Sequence, residues 1–102
     1  MLLADVLTAR AQKLPLHGAD LSGLDLAELD LSDMDFSGSD FSGAVLTGVD
    51  LTRARLVGCR FVRVHADDAT FDEAECSGLD ATEALLDGAT FVRAACTSAI
   101  FT

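Results

Sequence analysis

The sequence predicts an all-β solenoid: a chain wound into stacked coils of short extended segments around an apolar axis. Two registers predict it. The six phenylalanines, Phe36, Phe41, Phe61, Phe71, Phe91 and Phe101, are all separated by multiples of five residues. Leu16, Leu21, Leu26, Leu31, Leu46, Leu51, Leu56, Leu86, Ala66, Cys76, Ala81 and Cys96 fill the rest of that register, so none of its positions from 16 to 101 is polar. The eight glycines, from Gly18 to Gly88, share a second register two residues later. A period of five is neither the 3.6 of a helix nor the 2 of a flat strand, so it is a repeat.

The repeating unit is small–Asp–Leu/Phe–Ser/Thr–Gly, and Ala19-Asp20-Leu21-Ser22-Gly23 is its cleanest copy. The two apolar positions lie two residues apart, on the same side of an extended segment. The remaining residues must carry the chain to the next unit without exchanging inside for outside. A short strand followed by a turn does this, with glycine supplying backbone freedom. One unit cannot bury its apolar pair alone, but stacked coils can.

This pattern resembles the pentapeptide-repeat family over residues 14–98, without an insertion. The resemblance implies a right-handed quadrilateral β-helix with four units per coil, hence about four to five coils. The central Leu/Phe and the small residue two before it would point inward. The expected core ladder includes Leu21, Phe36, Phe41, Leu51, Phe61, Phe71, Leu86 and Phe91. Leu24, Leu29, Met34 and Leu79 are bulkier than the pattern, whereas Ala66, Cys76, Ala81 and Cys96 are smaller. Leu79 precedes Ala81 and Val64 precedes Ala66, so local volume is partly conserved.

Residues 1–13 lie outside the repeat and read as a helical N-terminal cap. Leu3, Val6 and Leu7, with Ala11 or Leu14, suit one helix face. Pro15 leads into the repeat domain, 14–102. The C-terminal residues Ala99-Ile100-Phe101-Thr102 are still in register, and an uncovered coil invites pairing. A homodimer through Cys96, Ile100 and Phe101 is expected, an arrangement the resemblance also implies; the alternative is that the chain is part of a longer protein.

The formal net charge is −10. If four units make a coil, residues twenty apart are neighbours. Asp33, Arg53, Glu73 and Arg93 then form one column of alternating sign, Asp35, Arg55 and Glu75 a second, Asp40, Arg60 and Asp80 a third, with Arg63 beside Glu83. This alternation supports the period of twenty without reference to the family. The face built on Leu26, Leu46, Ala66 and Leu86 has Asp25, Glu28, Asp67, Asp68 and Asp87, no Lys or Arg, and His65 as its only possible base. It is either a solvated acidic surface or a face for a protein partner.

No catalytic or metal site is expected. His17 and His65 fall on different faces, the serines and threonines repeat for structural reasons, and none lies in a nucleophile motif. Gly38 and Gly43 have P-loop spacing, but Ala44 stands where lysine is needed. Asp20, Asp25, Asp30, Asp35 and Asp40 point around the rod and cannot converge on calcium. No cofactor is implied. Cys76 and Cys96 would stack as buried thiols, which fits a reducing cytoplasm, and neither they nor Cys59 form a metal motif. The acidic charge argues against direct nucleic-acid binding, and no apolar run is long enough to cross a membrane.

The reading that follows is a noncatalytic scaffold that binds a protein partner through its acidic face. A second reading, implied by the resemblance, is a DNA mimic that inhibits or protects DNA gyrase or topoisomerase IV. An accessory or chaperone role for an exported effector is compatible, but no residue points to it.

Overall fold

The computed structural model describes all 102 residues. One helix, α1 (Leu3–Gln12), is followed by a rod of coils, and the whole measures 31 × 22 × 21 Å. Parallel bridges join residues twenty apart, from Asp20↔Asp40 to Asp80↔Ile100. Four five-residue units therefore make one coil. Each side of the coil contributes a single bridging residue; the short strand expected from the sequence does not form. The reason is length. Two of the five residues form the turn, and only one residue between turns can pair on both sides.

The coils are joined through the backbone. Leu21 N–H donates to the Asp40 carbonyl (2.8 Å), Asp40 N–H donates back to Ala19 (2.9 Å), and Gly23 N–H donates from the corner to Ser42 (3.0 Å). The same three bonds recur around the rod. Between consecutive units, the residue after the corner closes the turn, as Ala44 N–H does on the Phe41 carbonyl (2.8 Å).

Every fifth residue from Gly18 to Ser98 has φ between 58° and 77°, whether or not it is glycine. A positive φ at the third turn position is the mark of a type II turn. Glu28, Asp33, Arg53, Arg63, Asp68, Glu73, Glu83, Arg93 and Ser98 adopt it despite their side chains. This backbone costs an L-residue roughly 1–2 kcal/mol. The corner amide holds it there, since only this conformation aims the N–H at the next coil.

The inward register is buried from Leu21 to Ala81 without a gap. Phe36, Phe41, Phe61, Phe71, Phe91 and Phe101 form one chain of ring contacts, with successive centroids 5.1, 4.7, 6.1, 4.7 and 5.6 Å apart. Leu79 and Ala81 are both buried, as are Val64 and Ala66, so large and small neighbours share volume. Leu86 and Phe91, expected in the core ladder, are only half-buried because no coil lies above them.

Ser39 is the one buried polar residue. It accepts from Ala19 N–H (3.0 Å) and donates to the Leu16 carbonyl, so its hydroxyl closes the first turn from the coil above.

Helix α1 packs Val6 and Ala9 into the core, with Leu7 half-buried. Leu3, Ala11 and Leu14, expected on this face, are exposed. Asp5 accepts from Leu2 N–H (3.0 Å) at the N-terminus. At the C-terminus, Lys13 takes the left-handed conformation (φ 57°) while Leu14 N–H reaches the Ala9 carbonyl (2.9 Å). This Schellman ending turns the chain out of the helix and carries Leu14 away from the buried face.

Phe61→Asp would place an unpaired charge on the axis, and the variant is expected not to fold, read as loss of the cooperative melt. Gly23 has no atom within 4 Å of an added Cβ, so Gly23→Ala isolates backbone strain. It is expected to lower stability by about 1–2 kcal/mol in urea unfolding. An unchanged midpoint would show that the corner accepts any residue freely.

Candidate protein-binding face

The outward aspartates first serve their own units. Asp20, Asp30, Asp50 and Asp80 each accept the N–H and the hydroxyl of the Ser or Thr two residues on, as in Ser32 N–H to Asp30 (3.0 Å) and Ser32 Oγ–H to the same oxygen (2.6 Å). Asp25 accepts only the Ala27 N–H (3.1 Å). This Asx turn satisfies the one turn amide that neither coil can reach. The hydroxyl, then the amide, hold the Asp20, Asp30 and Asp80 carboxyls below their ordinary range. The sequence reading assigned the serines and threonines to structure but missed this clamp, whose signal is Asp-x-Ser/Thr every five residues.

The charge columns are realised in part. Arg53 binds Asp33 through two bonds (2.8 and 3.2 Å) and approaches Glu73 at 3.9 Å, and Arg93 closes the column on Glu73 at 2.8 Å. The hydrogen bond from Arg53, and then its charge, hold Asp33 below its ordinary range. Arg63 reaches Glu83 at 3.7 Å and Arg55 reaches Asp35 at 3.7 Å. Arg60 makes no ion pair with Asp40 or Asp80, and Glu75 makes none with Arg55. Those acids serve local turns instead: Ser42 N–H donates to Asp40 (2.8 Å) and Ser77 Oγ–H to Glu75 (2.7 Å).

His17 lies 2.7 Å from Asp35, a contact the sequence did not suggest because the two are 18 residues apart. Burial pulls the Asp35 carboxyl upward, but the Ser37 hydroxyl, His17 and the Ser37 amide outweigh it and lower it to about 2.

The fourth face differs. Asp25, Glu28, His65, Asp68 and Asp87 are exposed and Asp67 half-buried, and none takes part in an ion pair. Glu28, Gly48, Asp68 and Gly88 form one corner column. A Cβ on Gly48 would meet the Glu28 carboxylate at 2.5 Å, and one on Gly88 would collide with Asp68. The glycines thus leave space into which the acids of the coil below fold. Asp67 and Asp87 are neighbours on adjacent coils. Val45, Thr47 and Gly48 separate them from Asp25 and Glu28, so the acids form two groups on one face.

The candidate dimer end is placed at the last coil, where Ile100 and Phe101 are 46% and 47% exposed and Cys96 is half-buried. The single cavity, about 610 Å³, lies between the end of α1 and the early coils, away from the acidic face, and is lined by Arg10, Lys13, Asp33 and Asp35 among others. No three His, Cys, Asp or Glu side chains gather as a metal cluster, and no helix is long and apolar enough to cross a membrane.

The uniform five-residue unit with four units per coil decides the relationship. The family model for pentapeptide repeats matches eight copies over residues 16–53 and 46–88. The chain belongs to the pentapeptide-repeat family. No curated protein sequence matches it. Among solved structures it is similar to a pentapeptide-repeat protein of the Arabidopsis thaliana thylakoid lumen (28% identity, TM-score 0.49, 85% of this chain and 64% of that one). It is also similar to HetL of Nostoc sp. strain PCC 7120, a pentapeptide-repeat protein involved in heterocyst differentiation regulation (25% identity, TM-score 0.47, 84% and 44%). A third is Rfr23 of Cyanothece 51142 (14% identity, TM-score 0.48, 92% and 99%). The chain thus spans less than two thirds of the first two proteins.

In this pentapeptide-repeat protein the Asp35 cluster gives stability a definite pH dependence. A carboxyl lowered from 3.8 to about 2 contributes stability that is present above pH 3.8 and is lost as the pH falls toward 2. Asp35→Asn should flatten the urea midpoint against pH in that window. A slope equal to that of wild type would mean that the cluster does not hold the charge.

Proposed function

We propose that this pentapeptide-repeat protein is a noncatalytic, rigid binding module whose face on Leu26, Leu46, Ala66 and Leu86 engages a basic surface of a protein partner. The rod has the right-handed sense of its family. The observation that carries the reading is the distribution of cations. All the repeat's arginines, and every ion pair, lie on the other three faces. Asp67, Asp68 and Asp87 stand together without a counter-charge from their own chain. Opposite charge brought by a partner would steer association and would be screened by salt.

The alternative, mimicry of DNA toward gyrase or topoisomerase IV, draws on the same acids and on the net charge of −10. Gyrase supercoiling with added protein separates the two. Inhibition that disappears in the Asp67→Asn/Asp68→Asn/Asp87→Asn variant would support mimicry; no effect at excess protein supports the general module.

For the module, immobilised wild-type protein should retain basic partners at low ionic strength and release them as salt rises. The triple variant, with an unchanged melt, should retain few. Capture that is insensitive to both salt and the triple change would move the contact elsewhere.

A further inference from the structure

Cys76 and Cys96 occupy the inward position of one face, a single coil apart. The residues before them, Glu75 and Ala95, form a parallel bridge, and Cys76 N–H donates to the Ala95 carbonyl at 2.6 Å. Side chains in register on adjacent coils stand about 4.8 Å apart. That spacing is wide for a disulfide, whose Cβ atoms lie about 3.8 Å apart. It is close to two metal–thiolate bonds of about 2.3 Å placed end to end.

We propose that Cys76 and Cys96 form a two-coordinate site for a soft, thiophilic metal ion of the mercury(II) class, held in line between the two sulfurs. The surroundings select for this chemistry. No third His, Cys, Asp or Glu side chain completes a cluster, so an ion that requires four protein ligands is not satisfied. Two thiolates suit a soft ion. Cys76 is fully buried, whereas Cys96 is half-buried and gives access from the last coil.

Binding exchanges two S–H bonds for two S–metal bonds: one divalent ion enters, two protons leave, and the complex is neutral. A monovalent ion such as copper(I) would leave a net negative charge in an apolar core, which is costly. Cys59 stays out of the site, since its Sγ–H donates to the Phe36 carbonyl at 3.1 Å, toward an earlier coil.

The test uses the reduced full chain with mercury(II) chloride, and separately copper(I), in the presence of excess glutathione. X-ray absorption on the protein freed of glutathione reports the sulfur neighbours, and a weakly buffered titration without glutathione reports released protons. Wild type and Cys59→Ala should each retain one mercury with two sulfur neighbours and release two protons, and should bind copper(I) more weakly. Cys96→Ala and Cys76→Ala should lose affinity at least tenfold. Alanine already stands in this inward register at Ala66 and Ala81, and Cys96→Ala alone suffices if Cys76→Ala does not fold. Unchanged retention in Cys96→Ala, a single protein sulfur per ion, or tighter copper(I) binding would overturn the site. So would ready formation of a Cys76–Cys96 disulfide by diamide in the folded protein, because the sulfurs would then approach more closely than the coils imply.

Discussion

The structure depends on one constraint: each unit must present its backbone in phase with the unit twenty residues away. Two amides of a unit reach the coil that follows and one reaches the coil before, as with Leu21, Gly23 and Asp40. A unit of four or six residues would put every later donor opposite the wrong carbonyl and turn inward side chains outward, as a register slip does in a sheet. The corners show how strongly this is enforced. Glu83 accepts a left-handed backbone (φ 58°) while its N–H bonds the Thr102 carbonyl at 2.7 Å. Relaxing the backbone would remove the donor from its acceptor, and an unpaired buried amide costs about as much as the strain.

A tube of constant section then dictates volume. Two inward side chains per unit must fill the same space on every side, so Leu79 tolerates Ala81 and Val64 tolerates Ala66. The same geometry explains how polar atoms enter the interior. Ser39 and Cys59 occupy the small inward position of one column, and each reaches a carbonyl of the coil below, that of Leu16 and of Phe36. A hydroxyl there is satisfied because a turn carbonyl lies within reach. A carboxylate at Phe61, on the axis, has no such partner.

Much of this was legible in the sequence. The apolar register marked the buried positions from Leu21 to Ala81, and alternation along Asp33, Arg53, Glu73 and Arg93 announced the coil length, because charges pair only if their columns are real. What escaped was set by competition between partners. Arg60 stands between Asp40 and Asp80 in sequence terms, yet both carboxylates are engaged by Ser42 and Thr82 two residues away. Local bonds form at little cost in chain order, whereas an ion pair must hold a long arginine side chain; Asp35 keeps both, accepting from Ser37 through one oxygen and meeting Arg55 at 3.7 Å through the other. The left-handed corners were visible only where glycine marked them, since Arg53 or Glu73 gives no local sign of a positive φ. The buried face of α1 was legible in part: Val6 is buried and Leu7 half-buried as expected, Ala9 was missed, and the Schellman ending carries Leu14 out to solvent.

The same competition gives meaning to the acidic face. Aspartates occur on every side of the rod, so their number distinguishes no face. At the bridging position they are engaged by their own turns, including Asp25. What sets the fourth face apart is the lack of a cation there and the nature of the acids that remain. Glu28 and Asp68 sit at corners, where no turn amide is available, and glycines in the coils above leave room for their carboxylates. Arg63 stands at the corner just before this face, yet it pairs with Glu83 in its own column and not with Asp67 or Asp68. Columns twenty residues apart thus capture the nearest cations, and the acids between those columns are left without an ion-pair partner from their own chain.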